Sequence, residues 1–92
     1  MKITVELYGI ARYLAQTKEI ELSLKDDACL YDLAVVLAKR YPQLLGHVII
    51  PQTYMTEKTF KFNINGTHMT QDLNLKLHEM DHVLLFPIDG GG

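Results

Sequence analysis

Apolar and polar residues alternate from the start of the chain. Ile3, Val5 and Leu7 fall on one side and Lys2, Thr4 and Glu6 on the other, which predicts a half-buried strand over residues 2–8. Tyr8-Gly9 ends it. Ile10, Tyr13 and Leu14 then recur at helical spacing and predict a short helical turn from Ile10 to Ala15. Alternation returns from Glu19 to Leu24, with Ile20, Leu22 and Leu24 pointing inward. Two strands joined this way predict an antiparallel pair with a wide loop.

Lys25-Asp26-Asp27 reads as a turn, and the period then changes. Leu30, Leu33, Ala34, Leu37 and Tyr41 are spaced for one buried stripe, predicting a helix from Leu30 to Arg40. Asp32 in its first turn and Lys39-Arg40 in its last complement the helix dipole, and Pro42 stops it. Cys29 falls at the N-cap, where it caps less well than Ser or Thr. Further on, His47-Val48-Ile49-Ile50 predicts a short strand and Pro51 to Lys58 a polar loop. Phe60 to Ile64 alternates clearly and runs into Asn65-Gly66, a strong short hairpin signal, with Thr67 to Thr70 as the return strand. Val83 to Phe86 is a continuous apolar run, expected to be a strand buried on both faces. This order of strands around one helix predicts an α+β fold of the β-grasp type: a mixed sheet of four to five strands over one main helix. Its first and last strands would lie parallel in the centre.

Composition agrees with one folded domain. The chain has 92 residues, 48% hydrophobic and 22% charged, a globular balance. Its formal net charge is -2 with scattered basic residues, which argues against nucleic acid as a partner. No apolar run approaches the roughly 20 residues of a membrane span, and the first residues lack the apolar core of a signal peptide. A cytoplasmic protein without membrane contact is the expectation. Cys29 is the one cysteine, so no intramolecular disulfide can form, and it is expected to be a small buried hydrophobe.

One motif invites a metal reading. His78-Glu79-Met80-Asp81-His82 matches H-E-x-x-H, whose zinc chemistry needs both imidazoles on one face of a helix. Leu73, Leu77, Met80 and Leu84 do have helical spacing. Leu73, Leu75 and Leu77 alternate equally well, however, and Asn74 is a poor helix-interior residue. Ten residues follow His82, three of them glycines, and they offer little for a third ligand. A polar turn feeding the last strand is expected instead, with no metal bound, and His47 and His68 are expected in surface loops. No phosphate-binding loop, nucleophile paired with histidine or carboxylate dyad is legible, so no independent enzymatic activity is expected.

The chain ends Phe86-Pro87-Ile88-Asp89-Gly90-Gly91-Gly92. Terminal glycines have no side chains to pack. The organisation expected is a domain over residues 1–87 and a flexible tail over 88–92 in which the carboxylate of Gly92 is the functional group. Pro87 would start the tail stiffly by fixing φ. Beyond it, five extended residues would reach about 17 Å at ~3.3–3.6 Å each. Phe86, Pro87, Ile88, Asp89, Gly90 and Gly91 are the candidate partner-binding residues.

Several stretches together resemble the MoaD/ThiS family of ubiquitin-like sulfur-carrier proteins. Leu7 to Leu14 is similar to its opening strand and turn, and Leu33 to Leu44 to its helix and helix stop. Asn63-Ile64-Asn65-Gly66 lies on its hairpin, and Leu77 to Val83 on its usual Lys-Asp-Gly-Asp-Glu turn. Phe86-Pro87, three residues and Gly91-Gly92 reproduce the spacing of its tail. The chain departs from the family at Met80 and Gln16, where glycine is usual, and at Asp89, where an apolar residue is usual. Its third glycine and the loop 46–58 are also unlike the family.

The resemblance implies that a partner activating enzyme uses ATP to adenylate Gly92. A persulfide would then convert the adenylate to a thiocarboxylate, and an acceptor enzyme such as the molybdopterin synthase large subunit would take the sulfur. No cofactor bound by this chain is implied. Molybdopterin synthesis, with this chain as the small synthase subunit, is the implied role. Thiamine, cysteine or another sulfur-containing product, or use as a protein modifier forming isopeptides, are the alternatives. A β-grasp interaction domain with an inert tail remains open as well.

Overall fold

Strand alternation and one helical stripe produce the architecture. The computed structural model describes residues 1–88. Its elements are β1 (Lys2–Leu7), α1 (Ile10–Ala15), β2 (Glu19–Ser23), α2 (Leu30–Arg40), a 3-10 turn (Pro42–Leu44), β3 (Phe60–Ile64), β4 (His68–Thr70) and β5 (His82–Pro87). The five strands form one sheet in the order β2-β1-β5-β3-β4. β1 and β5 run parallel at its centre, with Val5 opposite Val83 and Leu7 opposite Leu85. The outer pairings are antiparallel. A mixed sheet over one main helix is the expected β-grasp, with the first and last strands as central neighbours.

The core lies between the inner face of the sheet and α2. Ile3, Val5 and Leu7 of β1, Phe62 of β3, and Val83 and Leu85 of β5 are wholly buried against Leu30, Leu33 and Leu37 of α2. Each such side chain stabilises the fold by about 1.5–3 kcal/mol relative to exposure. The predicted α2 stripe is the buried one, with Ala38 added and Tyr41 half-buried at the margin. The weak cap at Cys29 is compensated by Asp32, whose carboxylate accepts the Cys29 backbone N–H at 2.9 Å. That bond holds the Asp32 carboxyl below the ordinary range. Cys29 is half-buried rather than fully buried, and its thiol donates to the same carboxylate at 3.4 Å. The hairpin forms where predicted: Asn65 and Gly66 both take positive φ, 58° and 76°, and residues 65–67 connect Ile64 to its partner His68.

Three local expectations are corrected. His47–Ile50 is not a strand; Val48 and Ile49 are buried, but only Ile49 makes isolated bridges, to Leu45 and Thr56. Apolar residues in a compact loop give the same short run as a strand. α1 forms over the predicted residues, with Ala11 buried and Ile10 and Tyr13 exposed. β5 is not buried on both faces: Val83 and Leu85 point into the core, and His82, Leu84 and Phe86 are half-buried on the other side. A single helix covers only one face of the sheet. His68 is exposed as expected, but it opens β4 rather than sitting in a loop.

Candidate functional site

The exit of β5 is built by contacts from three other segments. Tyr8 donates its N–H to Leu85 at 3.0 Å, carrying the parallel pairing to the end of β1. Gly9 then turns the chain with φ 61° and ψ -140°, a combination that residues with a side chain avoid. Its missing side chain makes room for the Pro87 ring. Beyond Pro87, the Ile88 N–H bonds the Thr59 carbonyl at 2.7 Å, and the Ile88 side chain is half-buried. Ile88, expected as the first residue of the tail, is therefore still attached to the domain. Asp89, Gly90, Gly91 and Gly92 lie outside the described residues.

Phe86 faces away from the core. It joins Tyr8, Met69, Leu84 and Pro87 around an apolar groove of about 560 Å³ on the open face of the sheet. Met69 is an exposed member of this group. Asn63 borders the groove, and its side-chain oxygen is buried without a hydrogen-bond partner. Of the predicted site residues, the structure thus brings Phe86 and Pro87 together and adds Tyr8, Gly9, Leu84 and Met69. These four escaped the sequence reading, although the outward positions of the alternating strands contained the signal for Tyr8 and Leu84.

A polar chain runs beside the groove. The Arg12 guanidinium lies 5.1 Å from the centre of the Tyr8 ring and donates through Nε to the Leu7 carbonyl. The Tyr8 hydroxyl donates to Glu6, whose other oxygen is 3.0 Å from His82 Nε2. The Tyr8 bond, followed by His82, holds the Glu6 carboxyl below the usual carboxylate range. The same Tyr8–Glu6 bond pushes the tyrosine up.

The H-E-x-x-H segment is divided between a turn and a strand. Asp81 is buried and closes the turn by accepting from the His78 N–H at 2.8 Å and from Asn65 Nδ2 at 2.9 Å. Met80 takes φ 69°, the left-handed conformation expected where the family has glycine. Gln16, the other such position, also takes positive φ, 55°. Glu79 accepts from the Lys2 N–H, His78 faces Asp81, and His82 starts β5 facing Glu6. His78 and His82 therefore do not form the helical pair that the zinc-protease pattern needs.

Among the described residues no helix is long and apolar enough to cross a membrane.

Comparison with known proteins places this geometry. SAMP1 from Haloferax volcanii has the same fold, with a TM-score of 0.84 at 20% identity over 100% of both chains. A chain of the BexX/CysO complex of Amycolatopsis orientalis matches with a TM-score of 0.75 at 15% identity, covering 98% of this chain and 99% of that one. A chain of the complex of subunits 1 and 2 of molybdopterin-converting factor from Helicobacter pylori 26695 matches with a TM-score of 0.65 at 18% identity over 100% of both. At these identities the likeness establishes the fold. A search of curated protein sequences finds no match. The model of the ThiS family matches residues 5–92, from β1 through the final glycine, and the chain belongs to the ThiS family.

Proposed function

We propose that this protein is a sulfur carrier whose working group is the carboxylate of Gly92. The observation that supports this most is the extent of the family match, which runs through the terminal glycines as well as the domain. The geometry is suited to it: a central strand, held on both sides by pairing, delivers the chain past Pro87 beside an apolar groove.

In the proposed chemistry a carboxylate oxygen of Gly92 attacks the α-phosphorus of ATP on a partner activating enzyme, and pyrophosphate leaves. A carboxylate is a poor acyl donor, whereas the acyl adenylate carries a good leaving group. The terminal sulfur of a persulfide attacks the acyl carbon and expels AMP. A thiol then cleaves the resulting acyl disulfide, leaving the thiocarboxylate and a new disulfide. The domain contributes docking: Phe86, Pro87 and Ile88 start the segment, Asp89, Gly90 and Gly91 follow, and glycine leaves the acyl carbon unhindered. The acceptor we favour is the large subunit of a molybdopterin synthase. The Phe86-Pro87 tail and the fold shared with the Helicobacter pylori converting-factor complex support this choice. Thiamine, cysteine or another product would use the same chemistry with a different acceptor.

Intact mass spectrometry tests the carrier reading. Incubation with a competent activating enzyme, ATP and a persulfide donor should add about 16 Da, from –OH to –SH. No gain, with a partner enzyme active on its own carrier, overturns it. A second reading, covalent modification of proteins, is favoured by the fold shared with small archaeal modifier protein 1. There a lysine amine takes the adenylate, and conjugates of this chain at high molecular weight in lysates would report it.

A further inference from the structure

We propose that Glu6, Glu19 and His82 form a binding site for a divalent first-row transition cation, with Zn²⁺ as its probe, on the open face of the sheet. The three residues come from three adjacent strands, or the end of one: Glu6 from β1, Glu19 from β2 and His82 from the start of β5. One ligand atom from each lies within 4.8 Å of the other two. Glu6 Oε1 and His82 Nε2 are 3.0 Å apart. The two are hydrogen-bonded, and an ion entering between them would replace that bond with two coordinate bonds.

Two further observations favour a cation here. Glu6 and Glu19 are direct cross-strand partners in the antiparallel β1–β2 register. Like charges so placed destabilise a sheet unless something positive sits between them. His82 reaches Glu6, but among the described residues no Lys, Arg or His forms an ion pair with Glu19. In addition, the Tyr8 hydroxyl holds the second oxygen of Glu6, leaving Oε1 directed at His82. A fixed outer partner of this kind orients a metal-ligating carboxylate before the ion arrives. Two carboxylates offset the charge of a divalent ion. One imidazole selects first-row transition ions over Mg²⁺ and Ca²⁺, which prefer oxygen alone. Three protein ligands leave the remaining positions open towards solvent.

This site uses His82 but neither His78 nor Glu79, which are engaged by Asp81 and Lys2. It is independent of the sulfur-carrier reading, since no step of that chemistry passes through it.

Zn²⁺ titration of the full chain by isothermal calorimetry is the test. One saturable site is expected. Glu19→Gln and His82→Gln should each weaken it by about tenfold or more, while His78→Gln and Glu79→Gln leave it within about twofold. Glu19 is exposed, so its substitution leaves the fold intact, and circular dichroism checks each variant. Absence of saturable binding up to about 1 mM overturns the proposal. So does a smaller loss from either Glu19→Gln or His82→Gln, or a comparable loss from His78→Gln.

Discussion

The Cβ that Gly9 lacks would lie 3.0 Å from Cγ of Pro87, with Gly9 held at φ +61°. The two residues are distant in sequence and meet because β1 and β5 are parallel neighbours that end together. Gly9→Ala should therefore cost about 1–3 kcal/mol, from a backbone conformation that alanine avoids, with crowding of the Pro87 ring adding to it. Urea denaturation should show a lower midpoint at unchanged slope. A variant as stable as the parent would mean that this turn is not under the constraint described.

Met80→Gly should act in the opposite direction. Met80 is exposed at 68% and adopts φ 69°, so little burial is lost and left-handed strain is relieved. Relief of about 1–2 kcal/mol exceeds the entropic cost of glycine, leaving a net gain of about 0.5–1 kcal/mol. A raised unfolding midpoint checks it.

Asp81→Ala removes the acceptor that ties the β5 entry turn to the hairpin. The His78 N–H and Asn65 Nδ2 both lose their partner, and the carboxylate they share is buried. A loss of about 2–3 kcal/mol is expected in chemical denaturation. A loss near zero would show that water replaces the carboxylate without penalty.

Acid should weaken the fold partly through Glu6 and Asp32. Both carboxyls are held below their ordinary values, Glu6 first by the Tyr8 hydroxyl and then by His82, Asp32 by the Cys29 N–H. A depressed folded pKa contributes stability that is fully present above the unfolded value, about 4, and is lost as the pH falls through the folded one. Glu6→Gln and Asp32→Asn should each give a shallower loss of stability below about pH 4. Tyr8 works at the other end: its raised pKa contributes stability present below about pH 10 and lost as the pH rises through the folded value. Melting temperature against pH resolves both limbs.

Removing Gly91-Gly92 should abolish the mass gain on activation while the unfolding midpoint stays within about 0.5 kcal/mol of the parent. Retained activation would exclude the Gly92 carboxylate as the acceptor of the adenylate. Loss of the fold would show that the domain depends on those residues.

Much of the architecture was written in local patterns. α2 was legible end to end because Leu30, Leu33, Ala34 and Leu37 keep a helical period and Pro42 closes it. β1 and β3 were legible because every second residue is apolar. The hairpin was legible because Asn65-Gly66 suits the two positive φ values it needs. The constraint at Met80 came from family resemblance and is present in the backbone. Val48 and Ile49 misled because burial in a folded loop demands the same residues as burial in a strand. The short α1 was legible from the helical spacing of Ile10, Tyr13 and Leu14, although its buried residue is Ala11.

The sequence by itself determined the order of the elements, the helical stripe, the turn chemistry and the glycine-rich end, since each depends on neighbours a few positions apart. Only the tertiary structure decided which face of β5 is open, that Gly9 packs on Pro87, and that Phe86 lines a groove with Tyr8, Leu84 and Met69. The same holds for the meeting of Glu6, Glu19 and His82. Those relationships follow from strand order and register. Register is set by how the whole sheet buries its apolar face against a single helix, which no local window contains.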